Sequence, residues 1–353
     1  MARLRLLPLL AALLLTGTAW AQALPPLKVH FFDVGQGDAA LIVSPAGKTV
    51  LVDGGPPEAG ATLARRLRTL VKGPLDLVIL THPHLDHLGG LPAAVRAVGA
   101  RRYMDPGFDH PSRAYRDLLQ FMGEEVGQVL TPLPDPQRPG DLVQVGLGEG
   151  VSLSILWPRV PQAPFLQRTR SDANSNSIIV RLTYGSTALL LMGDAERDTE
   201  ERLLADGHAL GASLLKVAHH GGAYSSTAPF LQAVRPRYAV ISVGRGNDYG
   251  HPSAQTLARL KAVGAQVLRT DRQGEVTAVS DGTTLTVSAS RAPAAAPAPA
   301  PRGAGPYVGL RGSPVFHRAD CPALKQAKTK QRTVYPTREA AARERRPAKD
   351  CNP

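Results

Sequence analysis

The sequence predicts an α/β protein built as a four-layer αββα sandwich, with a small module appended at its C-terminus. Three observations predict it. Meander-like strands recur in both halves of the chain with helices between them, which suits two sheets packed face to face and helices outside. Each unusual polar cluster follows an apolar strand directly, at Asp33, Asp53, His82, Asp194, His219 and His251, so strand ends along one border converge on a shared site. An Ala/Pro tract at 292–301 then separates this body from a basic tail.

Taken in order, residues 27–32 alternate as a strand and end in Asp33-Val34-Gly35-Gln36-Gly37-Asp38. The glycines allow a tight return into a strand at 39–43, and Ser44-Pro45-Ala46-Gly47 turns the chain into a third at 49–52, ending in Asp53. A helix at 59–70 leads to an apolar strand at 77–80, followed by a helix at 90–98 and a short strand at 101–104. The spacing predicts a further helix over 112–123, and the Pro-rich segment 131–139 reads as a loop. Strands resume at 151–156, 177–183 and 187–192, the last ending in Gly193-Asp194. A helix at 196–204 precedes a strand at 214–217 and Ala218-His219-His220-Gly221. Another helix (228–234) and strand (238–243) lead to His251-Pro252, and a helix at 253–263 and a strand pair, 266–269 and 275–280, close the body.

With 43% hydrophobic and 20% charged residues in 353, the composition is that of a globular chain long enough for a large core. One catalytic domain, 24–290, followed by a linker, 291–306, and a module, 307–353, fits this length. The net charge of +12 is uneven: from Arg302 onward twelve Lys/Arg face four Asp/Glu, whereas the body is nearly neutral. Such a tail attracts polyanions or stands as a solvated, solubilising segment. Arg3 and Arg5, the apolar run 6–15 and Ala21-Gln22-Ala23 read as an export signal over 1–23. The mature chain is therefore expected to be periplasmic, cell-surface or secreted, with no stable membrane insertion after cleavage, because no later stretch qualifies as a span.

The organising stretch is Thr81-His82-Pro83-His84-Leu85-Asp86-His87-Leu88-Gly89-Gly90. Three imidazoles and a carboxylate within six positions are the donors that hold zinc, manganese or iron. Alternate residues of an extended segment share a face, so His82 and His84 can point at one ion while Asp86 and His87 reach a second. Both cysteines lie in the tail, so any site in the body must use nitrogen and oxygen donors.

The Thr81-His82-x-His84-x-Asp86-His87 run, Gly193-Asp194 and the later histidines together resemble the metallo-β-lactamase fold superfamily. Asp33-Val34-Gly35-Gln36-Gly37-Asp38, the Lys216-Val217-Ala218-His219-His220-Gly221 run, and Ile241-Ser242-Val243-Gly244 followed by Tyr249-Gly250-His251-Pro252 narrow this. They resemble the hydrolase domain of the ComEC/Rec2 family of competence proteins, over residues 27–285 and without the multi-pass channel of full-length members. The resemblance implies that His82 and His84 bind one ion, Asp86 and His87 another, and Asp194 bridges them. It leaves the last ligand to His251, the favoured choice, or to His219 and His220, with His220 otherwise an acid near the metals. Asp53 is implied to fix the metal loop, and Asp33, Gln36 and Asp38 to orient that edge or touch substrate. The superfamily's further histidine between the first motif and the bridging aspartate is absent. His110 follows the first loop too closely to replace it, and the Asn174-Ser175-Asn176-Ser177 segment stands in its place, so the first ion is either weakly held or completed by Asn176, water or His219.

Two divalent cations a few ångströms apart activate water and clamp the oxygens around phosphorus or carbonyl carbon. The resemblance and the basic tail point to a phosphodiesterase or nuclease acting on DNA, linked to DNA uptake, with Asp86, Asp194 and His220 as catalytic residues. The rival readings are an ester, lactone or lactam hydrolase on the same fold and a DNA-binding module with a degenerate site. In the tail, His317, Cys321 and Cys351 resemble a small zinc-binding module related to the Ada metal-binding fold. Ala348 stands where that module has another cysteine, which leaves a Cys321–Cys351 disulfide and a three-ligand zinc site as the alternatives. Residues 338–346 read as a basic helix.

Overall fold

The computed structural model describes residues 25–148, 150–292, 307–319, 321–324, 331–335 and 338–348. The expected signal segment, most of the linker and Cys351 lie outside these residues. The chain divides into two compact units, Met1–Ser290 and Arg291–Pro353.

The first unit opens with β1 (Leu27–Phe31), β2 (Ala40–Val43), β3 (Thr49–Val52), β4 (Leu77–Ile79), β5 (Arg102–Met104) and β6 (Gln128–Leu130). The second sheet follows with β7 (Val143–Gly146), β8 (Val151–Trp157), β9 (Ile179–Tyr184), β10 (Thr187–Leu191), β11 (Leu214–Lys216), β12 (Tyr238–Ile241) and β13 (Gln266–Arg269). The chain then returns to the first sheet as β14 (Val276–Ser280) and β15 (Leu285–Ala289). The sheet orders are β15-β14-β1-β2-β3-β4-β5-β6 and β13-β12-β11-β10-β9-β8-β7.

Alternation along these strands dictates the layers. Inward residues of both sheets, among them Phe31, Ile42, Val52, Ile79, Leu153, Val180, Leu191 and Val240, form one buried cluster between the sheets. The opposite face of the first sheet, with Leu41, Leu51 and Val78, packs against Leu63 and Leu67 of the helix Gly60–Leu70, Ala94 and Val95 of Leu91–Val98, and Leu118 and Met122 of Arg113–Glu125. The outer face of the second sheet, with Leu190, Leu215 and Ala239, packs against Leu203, Phe230, Leu231 and Leu260 from three further helices. The architecture is thus the αββα sandwich that the pattern implied. Among the described residues no helix is long and apolar enough to cross a membrane.

Parallel pairing is what aligns the polar strand ends. Val52 stands opposite Ile79 in the parallel β3–β4 pair, so Asp53 and the histidine loop leave the first sheet at one border. In the second sheet Leu191 pairs with Lys216 and Lys216 with Val240, both in parallel, so Asp194, His219 and the loop to His251 leave at one border as well.

Several elements differ from expectation. The last two strands of the expected pair do not pair with each other: β13 lies beside β12 and β14 between β1 and β15. The one-turn helix Thr270–Gln273 and Gly274, at φ 71°, carry the chain from one sheet to the other. Glu275 at that crossing receives Arg66 Nε at 2.8 Å and contacts His30 Nδ1 at 2.9 Å, which secures the returning strand. β6, β7 and β15 carry no sequence signal because edge strands expose one side of their ladder; β6 is three residues long and largely exposed.

The second unit is a four-stranded sheet, ordered β18-β16-β17-β19, of β16 (Tyr307–Leu310), β17 (Val315–Arg318), β18 (Arg332–Tyr335) and β19 (Arg346–Pro347). The basic helix spans only Arg338–Ala342. Beyond its end, Arg345 Nε donates to the Tyr335 hydroxyl at 2.9 Å and its Nη1 to the Leu310 carbonyl at 2.8 Å. His317 and Cys321 are buried with Nδ1 and Sγ 3.5 Å apart. The proposed bond from Cys321 to Cys351 lies outside the described residues.

Candidate metal centre

Asp53 organises the histidine loop. It ends β3 in a left-handed conformation (φ 59°) and is buried beneath the loop. Its Oδ1 accepts the Thr81 amide at 2.7 Å, and its Oδ2 accepts the Thr81 hydroxyl and His87 Nδ1, each at 2.8 Å. The bond to Nδ1 leaves His87 Nε2 as the free electron pair, directed at the site. Gly37 and Gly90 are required by close approach. A Cβ on Gly37, at φ 152°, would lie 2.3 Å from the Asp86 carbonyl, and one on Gly90 would lie 2.1 Å from that of Gly54.

Asp194 faces two sets of donors at once. On one side, His87 Nε2 lies 3.3 Å from Asp194 Oδ1, while His220 Nε2 lies 3.5 Å from Asp194 Oδ2 and 3.1 Å from Asp86 Oδ2. Donor atoms of Asp86, His87, Asp194 and His220 all lie within 4.8 Å of one another. On the other side, His82 Nε2 and His219 Nε2 stand 3.9 and 3.8 Å from Asp194 Oδ2, and His82 Nε2 stands 3.0 Å from His84 Nδ1. His87 Nε2 and Asp194 Oδ1 are buried and make no hydrogen bond. Two orphaned donor atoms facing each other across 3.3 Å suit a cation between them.

The electrostatics agree. Burial opposes a positive charge on His87, but Asp194, Asp53 and Asp86 outweigh it and raise its proton affinity well above that of an ordinary imidazole. Burial likewise opposes a charge on His220, yet Asp194, Asp38 and Asp86 lift it to about 10. A field that attracts a proton this strongly attracts a dication.

His219 and His220 reach Asp194 together because both sit in the left-handed region (φ 50° and 53°), an arrangement that costs about 1–2 kcal/mol per residue. Glu196 and Asp38 hold them there. Glu196, almost fully buried, lies 3.2 Å from His219 Nδ1 and receives Arg170 at 3.3 Å. Asp38 Oδ1 lies 3.3 Å from His220 Nδ1, which also contacts the Ser242 carbonyl at 3.0 Å. Lys216 Nζ donates to Asp38 Oδ2 at 2.6 Å in the gap between the two sheets. Burial opposes ionisation of Asp38, but Lys216 and His220 hold it down to about 2.

Thus His82, His84, Asp86, His87, Asp194, His219 and His220 are brought together, and Asp38 and Asp53 stand behind them. His251, favoured as the last ligand, stands at the rim outside the tight group; His220 is within it. Asn247 fixes the His251 backbone, accepting from its amide at 3.0 Å and donating to its carbonyl at 2.7 Å. The His251 ring then lies edge-on to that of His219, with centroids 5.4 Å apart, and tilted to that of His220 at 6.2 Å. Burial and those two imidazoles push its pKa down to about 4. Asn176 is not aimed at the site: its amide is spent on the Leu166 amide and carbonyl and the Asp172 carbonyl, closing the loop before β9. His219, also considered for that role, has its Nε2 3.8 Å from Asp194 Oδ2. Gln36 accepts the Gly244 amide at 3.0 Å, tying together the two loop borders, and Asp33 is exposed. His110 lies beside His84, with ring centroids 5.8 Å apart.

Sequence reasoning assigned no role to Glu196, Lys216, Ser177 or Ser242. Ser177 Oγ accepts the Asp194 amide at 3.2 Å and so sets the central carboxylate. A glutamate immediately after Gly193-Asp194-Ala195, and a lysine ending an apolar strand, were the available signals.

Residues 32–163 match the metallo-beta-lactamase superfamily. ComE operon protein 3 of Bacillus subtilis is 27% identical over 268 residues, covering 70% of this chain and 32% of that protein. Competence protein ComA of Neisseria gonorrhoeae is 30% identical over 70% of this chain and 31% of its own length. For Recombination protein 2 of Haemophilus influenzae the values are 31%, 71% and 29%. The chain therefore spans about a third of the length of these curated relatives. Among solved structures, the CmlA beta-hydroxylase E377D mutant superposes with a TM-score of 0.44 at 14% identity, over 72% of this chain and 53% of that one. With its sandwich fold, its donors converging on Asp194 and its likeness to competence proteins, the chain carries a metal-dependent hydrolase domain of the metallo-beta-lactamase superfamily.

Proposed function

We propose that the body is a binuclear phosphodiesterase that acts on DNA outside the cytoplasm, in the service of DNA uptake, with zinc or manganese as the cofactor. One observation carries the choice of substrate: the mouth of the metal centre is rimmed by exposed rings and a guanidinium. Tyr249, 72% exposed, stacks on His251 at 5.8 Å, and Tyr224, 55% exposed, carries Arg170 over its ring at 4.0 Å. Leu85, 52% exposed, sits between His84 and Asp86. Rings beside a cationic centre suit a strand whose bases stack while its phosphate enters. The competence-protein relatives support the same reading.

His82, His84, Asp194 and His219 would hold one ion, and Asp86, His87, Asp194 and His220 the other. Bound there, the pair supplies a nucleophile at neutral pH and neutralises charge on phosphorus. Asp53, Glu196 and Asp38 keep His87, His219 and His220 in the tautomer that presents Nε2. Because both nitrogens of His220 are engaged, the acid role assigned to it from the sequence does not fit. His251, kept neutral by burial and its neighbours, remains to donate a hydrogen bond to a substrate oxygen. Arg170 and the two tyrosines position the strand.

The test is to offer the purified protein, with manganese or zinc, single-stranded DNA and in parallel lactone and thioester substrates. Chelator-sensitive cleavage of DNA, with KM raised in Tyr249→Ala, is expected. Hydrolysis of the carboxyl esters with DNA untouched would replace this reading with the small-molecule hydrolase. Salt-sensitive DNA binding without metal or turnover would replace it with a binding module.

A further inference from the structure

At the border opposite the metal centre, a cavity of about 610 Å³ opens where β10, β11 and β12 begin. Its lining gathers three arginines from separate elements: Arg181 of β9, Arg235 at the end of the helix Ala228–Val234, and Arg237 just before β12. Among the described residues none of the three pairs with a carboxylate. Arg181 Nη2 donates to the Gly211 carbonyl at 3.2 Å, but its Nε is buried with no hydrogen-bond partner. Burial lowers the pKa of Arg181. Asp281, in the turn that carries Thr283 and Thr284, forms no ion pair with the three arginines among the described residues. Its Oδ1 is taken by the Thr283 amide and hydroxyl, each at 2.8 Å, and by the Thr284 amide at 2.7 Å.

Guanidinium forks match phosphate oxygens in pairs, and three of them around one concavity repel one another until an anion joins them. The same cavity is lined by the exposed Thr283 and Thr284, with Val234 and Leu285 buried beneath its floor. Its size lies in the range of small-ligand sites and exceeds what one phosphate needs.

We propose that this cavity is a second ligand site, separate from the metal centre, that binds a nucleoside phosphate, with the phosphate on Arg181, Arg235 and Arg237 and the nucleoside in the remaining volume beside Thr283 and Thr284. The site is independent of the reaction assigned to the metal centre. It touches the starts of the three strands whose other ends lead to Asp194, to His219 and His220, and to the His251 loop.

Isothermal titration of the full chain with thymidine 5′-monophosphate, thymidine and inorganic phosphate tests this, in the wild type, in Arg235→Glu/Arg237→Glu and in His84→Ala/Asp194→Ala. Arg235 and Arg237 are exposed, so the charge reversal should leave the thermal midpoint and basal hydrolysis unchanged. It is expected to weaken nucleotide binding by about tenfold or more, as loss of charge-assisted bonds does. The metal-centre variant should bind as the wild type does, and thymidine and phosphate should each bind more weakly than the nucleotide. Absence of saturable binding to the wild type at millimolar nucleotide would overturn the proposal. So would binding that survives the arginine reversal but vanishes in the metal-centre variant, or phosphate that matches the nucleotide.

Discussion

Replacing Lys216 by Met tests the support beneath the metal centre. Lys216 and Asp38 are 3% and 5% exposed, and their 2.6 Å contact joins β11 of one sheet to the loop between β1 and β2 of the other. Methionine nearly conserves the volume of the lysine stem, so the change isolates the charge. Asp38 would lose the nearer of its two buried cations and keep only its contact with His220. Breaking one partner of such a pair costs about 3–5 kcal/mol. Urea unfolding of chelated protein, followed by tryptophan fluorescence, would report this as a lower midpoint. Asp38→Asn/Lys216→Met, which removes both charges, should recover most of the loss. A single variant within about 1 kcal/mol of the wild type, well below the usual cost of a broken buried pair, would refute the pairing as a support. So would a double variant as unstable as the single one.

Asp53→Asn should weaken metal binding by about 10–100-fold, because the Nδ1 proton of His87 loses its fixed acceptor; competition with a chromogenic chelator reads this directly. Gly37→Ala should displace the Asp86 loop, since the new Cβ meets the Asp86 carbonyl at 2.3 Å; a fall in turnover together with metal occupancy is expected. Glu275 supplies a pH dependence away from the metals. Burial raises its pKa, but His30 and Arg66 outweigh it and bring it to about 2 from 4.5. Its contribution is present above pH 4.5 and is lost as pH falls toward 2. Since the Arg66 side chain is 41% exposed, that contribution is discounted to about 1 kcal/mol, and Arg66→Ala should flatten the acid limb of stability against pH.

Much of this arrangement was legible because ligand residues are read locally. The His82–His87 run announces donors within one turn of chain, and an apolar run before each polar cluster places them at strand ends. The two-sheet architecture followed from the same alternation. What the sequence could not supply was which of His219, His220 and His251 stand beside Asp194. That choice depends on a left-handed His219-His220 turn and on the Asn247 clamp, neither of which leaves a periodic signal. Asn176 misled for the opposite reason: a buried amide near a catalytic border serves backbone closure as readily as chemistry. Glu196 and Lys216 were missed because charged residues are expected on the surface, and only the packed sheets reveal them as buried partners of His219 and Asp38.

Elemental analysis of the purified full chain bears most directly on the donors gathered around Asp194. The wild type, loaded with zinc or manganese and desalted, should retain about two divalent ions per chain, as expected of a binuclear centre. Asp194→Ala should retain fewer than one and hydrolyse nothing. A wild type that retains none, or an Asp194→Ala variant that retains as much metal as the wild type, would contradict the shared-carboxylate centre.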